Sequence, residues 1–360
     1  MIALYCPDLP PVPGGVADHT LVLARALERL GAPPAVLGRR GDPAWFAPLD
    51  CRTGLRPGDV AGAARGAGAD TVLLQYVPFL FARRGVSPAL VAGVRAINRS
   101  GLRLAVLVHE PFVPFTRLPW LVTGWPMRWQ LACILRHSSV VYAPVPRYEQ
   151  IARHFAGPRA AVRLAPVGAT LPISCAPREQ ARRALGLGDA DVAIGVFSPG
   201  AAGFLSEWVG SAARRLAARP EVVWVVFGFG SERLPATFPA GARVLRLGPL
   251  EPDGPGRAMR ALDVALSPYV DGLTMRRTGA MLALAHGVPT ISSTGHLFDP
   301  QLEALAACPS DAGAFAAAVE RVALDAGARK ELAGQAAAYG RTASVEVLAR
   351  IIIADLGGGA

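Results

Sequence analysis

The stretch L-D-V-A-L-S-P-Y-V-D-G-L-T-M-R-R-T-G-A-M-L-A-L-A-H-G-V-P-T-I-S-S-T-G, Leu262 to Gly295, decides the fold. Val264 to Leu266 is a short apolar run that predicts a buried strand, and it empties through Ser267-Pro268 into an Asp271-Gly272 turn. A helix is predicted from near Thr274 to His286-Gly287, and after Pro289 a second apolar strand runs from Thr290 to Ser292. Strand, helix and strand in that order imply a parallel sheet. The turn and the helix start gather amide N–H groups and the positive end of a helix dipole at one point, which suits a phosphate. Arg276 and Arg277 then fall in the first helical turn, where the dipole disfavours cations unless an anion lies between them. Two solvated arginines on a helix face are the competing explanation.

The same alternation extends in both directions. Ile2 to Cys6 predicts a buried strand and Val16 to Leu30 a helix stopped by Gly31, with Pro13-Gly14-Gly15 in the loop between them. Gly14 and Gly15 let a ligand approach the backbone at the carboxyl edge of that strand, although turns use such pairs freely. Thr71 to Gln75 is a strand ending in Gln75-Tyr76, Ala89 to Asn98 its crossover helix, and Leu102 to Val108 a strand ending in His109-Glu110. Open α/β sheets place ligands at strand carboxyl ends, which gives Tyr76, His109 and Glu110 weight beyond their residue types. Ser139 to Ala143 and Pro146 to Phe155 continue as strand and helix.

Ala165 to Pro172 breaks all periodicity and reads as a linker. Beyond it a second alternation is predicted. It comprises a helix at 178–185, a strand at 192–197, a helix at 205–218 and a strand at 222–227 ending in Gly228-Phe229-Gly230-Ser231. A strand at 243–247 and a helix at 255–262 lead into the opening stretch. Helices at 312–324, 328–338 and 345–356 close the chain, the last expected to pack back on the first domain. The predicted division is 1–170, 171–340 and a terminal helix in 341–360, with no repeat beyond two similar halves.

A chain of 360 residues, 52% hydrophobic, accommodates two cores. Its net charge of +10 is carried almost wholly by arginine, since Lys330 is the one lysine. A P-loop lysine is thereby excluded and Schiff-base chemistry disfavoured, so any phosphate is held by Arg, by helix N-termini or by both. The arginines are scattered, with no basic run interleaved with aromatics, and a nucleic-acid partner is not expected. Five widely spaced cysteines without a C-x-x-C pair predict reduced thiols rather than a disulfide frame or zinc site. The N-terminus reads as a first strand rather than a signal peptide, and no apolar run is long enough to span a membrane.

Pro114 to His137 stands apart: Phe115, Trp120, Trp125 and Trp129 alternate with Arg117, Arg128 and Arg136. Such a stretch either lies in a membrane interface or over an acceptor site, or is a helix covering the sheet with its tryptophans in the core. With the net charge, it predicts peripheral contact with the inner, anionic face of a membrane, while the reduced thiols predict a cytoplasmic protein.

Strand ends predict the lining of a cleft between two Rossmann-like halves. The first half supplies Gly14, Gly15, Tyr76, His109 and Glu110. The second supplies Ser198, Gly228, Gly230, Asp271, Gly272 and Arg276. No G-x-G-x-x-G follows the first strand, no G-x-S-x-G occurs, and no His/Cys cluster has metal spacing. Seven pieces in order carry a resemblance: P-G-G-V-A-D-H-T (13–20), Q-Y-V-P (75–78), H-E-P-F (109–112), P-V-G-A-T-L-P (166–172), G-F-G-S (228–231), D-V-A-L-S-P-Y-V-D-G-L-T-M-R-R (263–277) and A-L-A-H-G-V-P-T (283–290). Over nearly its whole length the chain resembles a GT-B-fold glycosyltransferase of family 4.

That resemblance implies an α/β, GT-B architecture of two doubly wound parallel-sheet domains facing a central cleft. It implies retaining sugar transfer from a nucleotide-sugar, without an essential metal or other cofactor. The C-terminal domain would bind the donor and the N-terminal domain the acceptor, whose identity stays open. Carried over by residue, His109 touches the transferred sugar and Asp271 faces it as the leaving diphosphate departs. Gly14, Gly15, Ser198, Gly228 and Gly230 line the donor. The N–H groups after Gly272, at Leu273 and Thr274, cradle the diphosphate, and Asp18, Tyr76 and Glu110 lie on the acceptor side. Two departures stand out. Gly279 occupies the place of the family's second acid, and Ser198 to Leu205 lacks the usual Arg and Lys, for which Arg276 and Arg277 are the expected substitutes. These departures keep two alternatives open: a nucleotide-sugar-binding or partner protein without turnover, and a phosphorylase or epimerase of the same fold.

Overall fold

The computed structural model describes residues 1–12, 14–113, 118–165, 167–234, 238–251, 253–298, 302–303 and 306–357. Pro13, Phe115, Arg117 and Pro166, singled out above, lie outside the described residues.

In the first strand, β1 (Ile2–Tyr5), successive side chains enter opposite layers: Ala3 and Tyr5 join one apolar cluster, Ile2 and Leu4 another. A strand buried on both faces shows a continuous apolar run rather than alternation. Six more strands follow: β2 (Ala35–Leu37), β3 (Cys51–Arg52), β4 (Thr71–Tyr76), β5 (Arg103–Val108), β6 (Val140–Ala143) and β7 (Ala161–Leu164). All pair in parallel, in the order β3-β2-β1-β4-β5-β6-β7. The order reverses between β1 and β4, where a doubly wound sheet opens a crevice at its carboxyl edge. Helices α1 (Gly15–Arg29), α2 (Val60–Gly66), α3 (Pro78–Phe81), α4 (Pro88–Arg99), α5 (Leu118–Leu135) and α6 (Pro146–Phe155) accompany this sheet. Residues 32–70, for which no element was predicted, hold β2, β3 and α2. Strands of three and two residues are too short to show a period.

The second sheet is also parallel: β8 (Val192–Phe197), β9 (Val222–Phe227), β10 (Arg243–Gly248), β11 (Val264–Leu266), β12 (Thr290–Ile291) and β13 (Ala306–Ala307), ordered β10-β9-β8-β11-β12-β13. Its reversal lies between β8 and β11. Its helices are α7 (Arg178–Ala184), α8 (Ser206–Arg215), α9 (Gly254–Arg260), α10 (Thr278–Ala285), α11 (Ala312–Leu324) and α12 (Ala326–Thr342). Trp224, Phe315 and Val319 fill the core between β9 and α11.

The chain divides into two units, 1–167 with 345–360, and 168–344. The terminal helix, α13 (Val345–Gly357), belongs to the first unit. Leu348, Ala349 and Ile352 bury in the layer that holds Leu23 and Leu27 of α1. At its ends Arg29 pairs with Glu346 at 2.5 Å, and Arg163 with Asp355 at 3.1 Å.

Helix α5 corrects one expectation about its tryptophans. It does cover the sheet, with Met127, Gln130, Leu131 and Ile134 buried, but Trp125 and Trp129 are 68% and 53% exposed. The helix period puts Val122, Trp125 and Trp129 on one face and the core residues on the other. The five cysteines are free thiols, and among the described residues no helix is long and apolar enough to cross a membrane.

Candidate functional site

Candidate residues gather at the carboxyl edge of each sheet, beside the point where its strand order reverses. In the second unit the chain leaves β8 through Ser198, the one described non-glycine residue with positive φ, at 49°. Such a backbone costs energy in L-residues and persists where surrounding contacts enforce it. Here Ser198 Oγ accepts the Phe229 N–H at 3.3 Å, and Gly200 N–H donates to the Phe229 carbonyl at 2.9 Å. Gly230 has φ 76°, and a Cβ there would lie 2.2 Å from Gly200 Cα. A Cβ on Gly228 would lie 2.6 Å from Ser198 Oγ. The predicted donor residues Ser198, Gly228 and Gly230 thus form two loops in backbone contact.

The loop after β11 is stapled to the end of β12. Ser293 Oγ donates to the Tyr269 carbonyl at 2.6 Å and accepts the Tyr269 N–H at 2.8 Å. Gly272 has φ 84°, and a Cβ on it would stand 2.6 Å from Gly295 N. A Cβ on Gly295 would stand 2.4 Å from the Asp271 carbonyl carbon. Asp271 is therefore presented on two backbones that touch only because both positions are glycine. Its side chain is nearly buried and accepts from the Arg277 guanidinium, which lies 3.7 Å over the Tyr269 ring.

This geometry corrects two expectations. Helix α10 begins at Thr278 rather than near Thr274, so Arg276 and Arg277 precede it. The Thr274 carbonyl accepts the Arg277 N–H at 3.0 Å and Thr274 Oγ1 the Arg276 N–H at 3.3 Å, a turn that delays the helix. Arg277 becomes the N-cap residue, and its charge at the positive helix end is offset by Asp271. The Leu273 N–H, expected to face a diphosphate, donates to the Ser293 carbonyl at 3.0 Å, while the side chains of Leu273 and Thr274 are fully buried. Helix geometry instead leaves the first amides of α10, at Thr278, Gly279 and Ala280, without intrahelical acceptors. Arg276 is half-buried beside them. Gly279 packs on β8: a Cβ there would lie 2.9 Å from Phe197 Cδ1, which fills the space a longer side chain needs.

In the first unit Gly14 and Gly15 open α1, and a Cβ on either would meet nothing within 4 Å. Asp18, in the first turn, is half-buried, and desolvation raises its carboxyl above the usual range. His109 and Glu110 continue β5, with the His109 N–H on the Tyr76 carbonyl at 3.0 Å. His109 is 7% exposed, and its Nε2 lies 2.7 Å from Gln75 Oε1. Tyr76, expected on the acceptor side, is instead core. It is fully buried with its ring stacked 6.4 Å from Phe81, and its hydroxyl accepts from Gln130 Nε2 at 3.1 Å. The last residue of a parallel strand still faces a layer of the fold, and Tyr76 faces inward. Residues not singled out from sequence also contribute: Tyr269 and Gly295 seat Asp271, Phe197 closes on Gly279, and Gln75 and His19 lie against His109. Only spatial proximity picks them out. Among the described residues no three His, Cys, Asp or Glu are grouped to hold a metal ion.

No protein-family model matches the chain, and no curated protein matches it in sequence. Solved structures do resemble it in fold. Anabaena HepE in complex with UDP is similar with a TM-score of 0.69 at 15% identity, over 99% of this chain and 100% of that one. Sucrose-phosphate synthase from Thermosynechococcus elongatus is similar with a TM-score of 0.70 at 18% identity, over 98% and 96%. UDP-GlcNAc 2-epimerase from Neisseria meningitidis, bound to UDP-GlcNAc, is similar with a TM-score of 0.62 at 12% identity, over 99% of each. The two parallel-sheet units are thus the Rossmann-like units of the GT-B fold.

Proposed function

We propose that the chain is a retaining glycosyltransferase of the family 4 kind. It moves a sugar from a nucleotide-sugar, UDP-linked by analogy with the fold neighbours solved with UDP or a UDP-sugar, to a lipid-linked, polysaccharide or secondary-metabolite acceptor. The observation that carries this is the Arg277-paired Asp271 at the carboxyl end of β11, beside the strand-order reversal and the open amides of α10. In this reading the α10 N-terminus and Arg276 take the diphosphate, Asp271 faces the sugar, and the loops at Ser198 and Gly228–Gly230 take the nucleoside. The bond from the anomeric carbon to the diphosphate oxygen breaks, and the acceptor oxygen bonds to the same face. The acceptor proton passes to the departing diphosphate. Fixed dipoles and Arg276 meet the charge on that leaving group without reorganising, and no cofactor enters the proposal. Within the first unit, His109 is proposed to contact a sugar and Asp18 and Glu110 to lie on the acceptor side.

Gly279 favours a second reading, a nucleotide-sugar-binding protein without turnover, because Phe197 closes the position where the family carries an acid. The epimerase among the fold neighbours keeps sugar rearrangement or phosphorolysis as a third. A panel of nucleotide sugars, each with and without inorganic phosphate, separates them by nucleoside diphosphate release. Slow release without phosphate, quickened by an acceptor, supports transfer. Binding with no release throughout supports the second reading, and release that depends on phosphate, or epimerised donor, supports the third.

Peripheral membrane contact at the inner face of a cytoplasmic membrane belongs to the same proposal. Val122, Trp125 and Trp129 present one exposed apolar face of α5, and exposed Phe79 lies on α3. Exposed Arg83 and Arg84 precede Gly85, whose Cβ position abuts Met127 of α5. Aromatic anchors beside arginines fit an anionic bilayer surface. Vesicles containing phosphatidylserine are expected to sediment the protein at low salt and release it at high salt. A Trp125→Ala/Trp129→Ala variant that sediments equally removes this part of the proposal.

A further inference from the structure

Among the described residues, five buried side-chain atoms lack a hydrogen-bond partner, and three of them, His19 Nδ1, His19 Nε2 and Gln75 Nε2, share one cluster. Buried polar groups are nearly always paired, so a concentration of exceptions calls for a physical account. His19 lies on the first turns of α1 and Gln75 near the end of β4, with His109 just past β5, so the cluster spans the strand-order reversal of the first sheet. His19 and Gln75 are fully buried. The rings of His19 and His109 meet edge to face with centroids 5.0 Å apart. His19 also lies close enough to the Gln75 amide and the Val167 carbonyl to feel both, although neither contact reaches good geometry.

Donor and acceptor chemistry gives this cluster a direction. Gln75 Oε1 only accepts, so the 2.7 Å contact requires a proton on His109 Nε2. The Gln75 NH2 group is then left without a partner, as are both His19 nitrogens, and the pairing that would satisfy them has the NH2 group donate to a His19 lone pair. Burial keeps His19 neutral, its ring pushed down to about 4, so one nitrogen holds that lone pair and the other holds a proton for the Val167 carbonyl. We propose that His19 and Gln75 are positioning residues that fix His109 as the neutral Nε2–H tautomer, through a one-way relay from His109 to Gln75 to His19 to the Val167 carbonyl. That relay would give each of the three orphaned atoms a partner. The reversed amide does not serve as well. It demands a lone pair on His109 Nε2 and a proton on the facing His19 nitrogen, which leaves a His19 lone pair against the Val167 carbonyl oxygen. The fixed tautomer places the ring's lone pair on His109 Nδ1.

The sugar contact of His109 rests on the function proposed above, whereas the tautomer is a property of the unliganded chain. Long-range nitrogen–proton correlation spectra of the full chain, labelled at its six histidines, report each ring's tautomer directly. His109→Gln identifies the His109 signals. The expected spectrum shows His109 as a single Nε2–H form at neutral pH and His19 as a neutral ring. Gln75→Leu is expected to turn His109 into a mixture of tautomers. Gln75→Glu, whose carboxylate still accepts from Nε2–H, is expected to retain that tautomer. An Nδ1–H signal for His109 in the wild type overturns the proposal, and that measurement needs only the assignment variant His109→Gln to fold. So does a His109 spectrum that Gln75→Leu leaves unmoved. With a turned-over substrate, Gln75→Leu is expected to lower kcat by about tenfold with KM little changed, and Gln75→Glu to recover part of the loss. Equal rates for all three forms, with the tautomer as expected, count against a sugar contact at His109 and leave the relay standing.

Discussion

The Arg277 guanidinium donates to the Asp271 carboxylate while lying 3.7 Å above the Tyr269 ring. Both partners are mostly shielded from water, with side-chain exposures of 20% and 12%. A charge-assisted bond in that setting is worth about 1.5–3 kcal/mol, and Arg277→Ala leaves the carboxylate without it. Thermal unfolding is expected to show a loss of that order. Arg277→Lys recovers little of it, because an ammonium does not reproduce the planar stack on Tyr269. A lysine variant as stable as the wild type contradicts the stacked geometry.

Glycines near the two sheet edges separate packing from ligand access. Gly15 has open space where a Cβ would go, so Gly15→Ala is expected to leave Tm nearly unchanged and to slow donor turnover at least roughly tenfold, through steric contact with the ligand. Gly272 combines φ 84° with a Cβ position 2.6 Å from Gly295 N. Gly272→Ala is therefore expected to cost more than about 2 kcal/mol, since the left-handed backbone alone costs roughly 1–2. Unchanged turnover in Gly15→Ala argues against a ligand passing that backbone.

Phe197 decides whether an acid is accepted at position 279. Its Cδ1 would stand 2.9 Å from a Cβ there, so Gly279→Glu is expected to lower Tm and to leave donor affinity no better. Adding Phe197→Ala makes room, and the double variant is expected to regain part of that loss despite its own cavity cost. Donor affinity that rises in Gly279→Glu alone shows that the ring yields and the position is open.

The buried His19 predicts a stability profile with a definite sign. Its folded ring is pushed down to about 4 by desolvation, against 6.5 unperturbed, so between these values the unfolded chain binds a proton that the folded chain refuses. Stability is complete above pH 6.5 and falls as pH drops toward 4, by about 3 kcal/mol from this group. Denaturant titrations at pH 7, 5.5 and 4.5 check it. His19→Phe is expected to flatten that fall, and an equally steep profile in the variant assigns the effect elsewhere.

The long elements were legible in the sequence because their patterns are strong. The helix at Pro146–Phe155 starts at a proline that suits the first helical position, and it was read to the residue. The strands at Val192–Phe197 and Val222–Phe227, bounded by polar or glycine turns, were equally plain. The failures have physical causes of their own. Ala35–Leu37 and Cys51–Arg52 are too short to carry a period. The helix after Gly272 starts late because Thr274 closes a turn and Arg277 turns back to Asp271, contacts across the loop that no local propensity encodes. Tyr76 looked like a site residue for standing at a strand end, yet its hydroxyl is taken up by Gln130, 54 positions away. Asp271 and the glycines around it stood out as residue types. The backbone of Gly295 that holds them in place became visible only in three dimensions.

The central claim is that Asp271, held by Arg277 before α10, acts on a nucleotide-sugar. Its most direct test is nucleoside diphosphate release from a panel of nucleotide sugars by the wild type and by Asp271→Asn, with folding of both checked by thermal unfolding. Release from at least one donor by the wild type is expected, with a loss of about a hundredfold or more in a folded Asp271→Asn. No release from any donor, or the same rate in the two proteins, contradicts the claim.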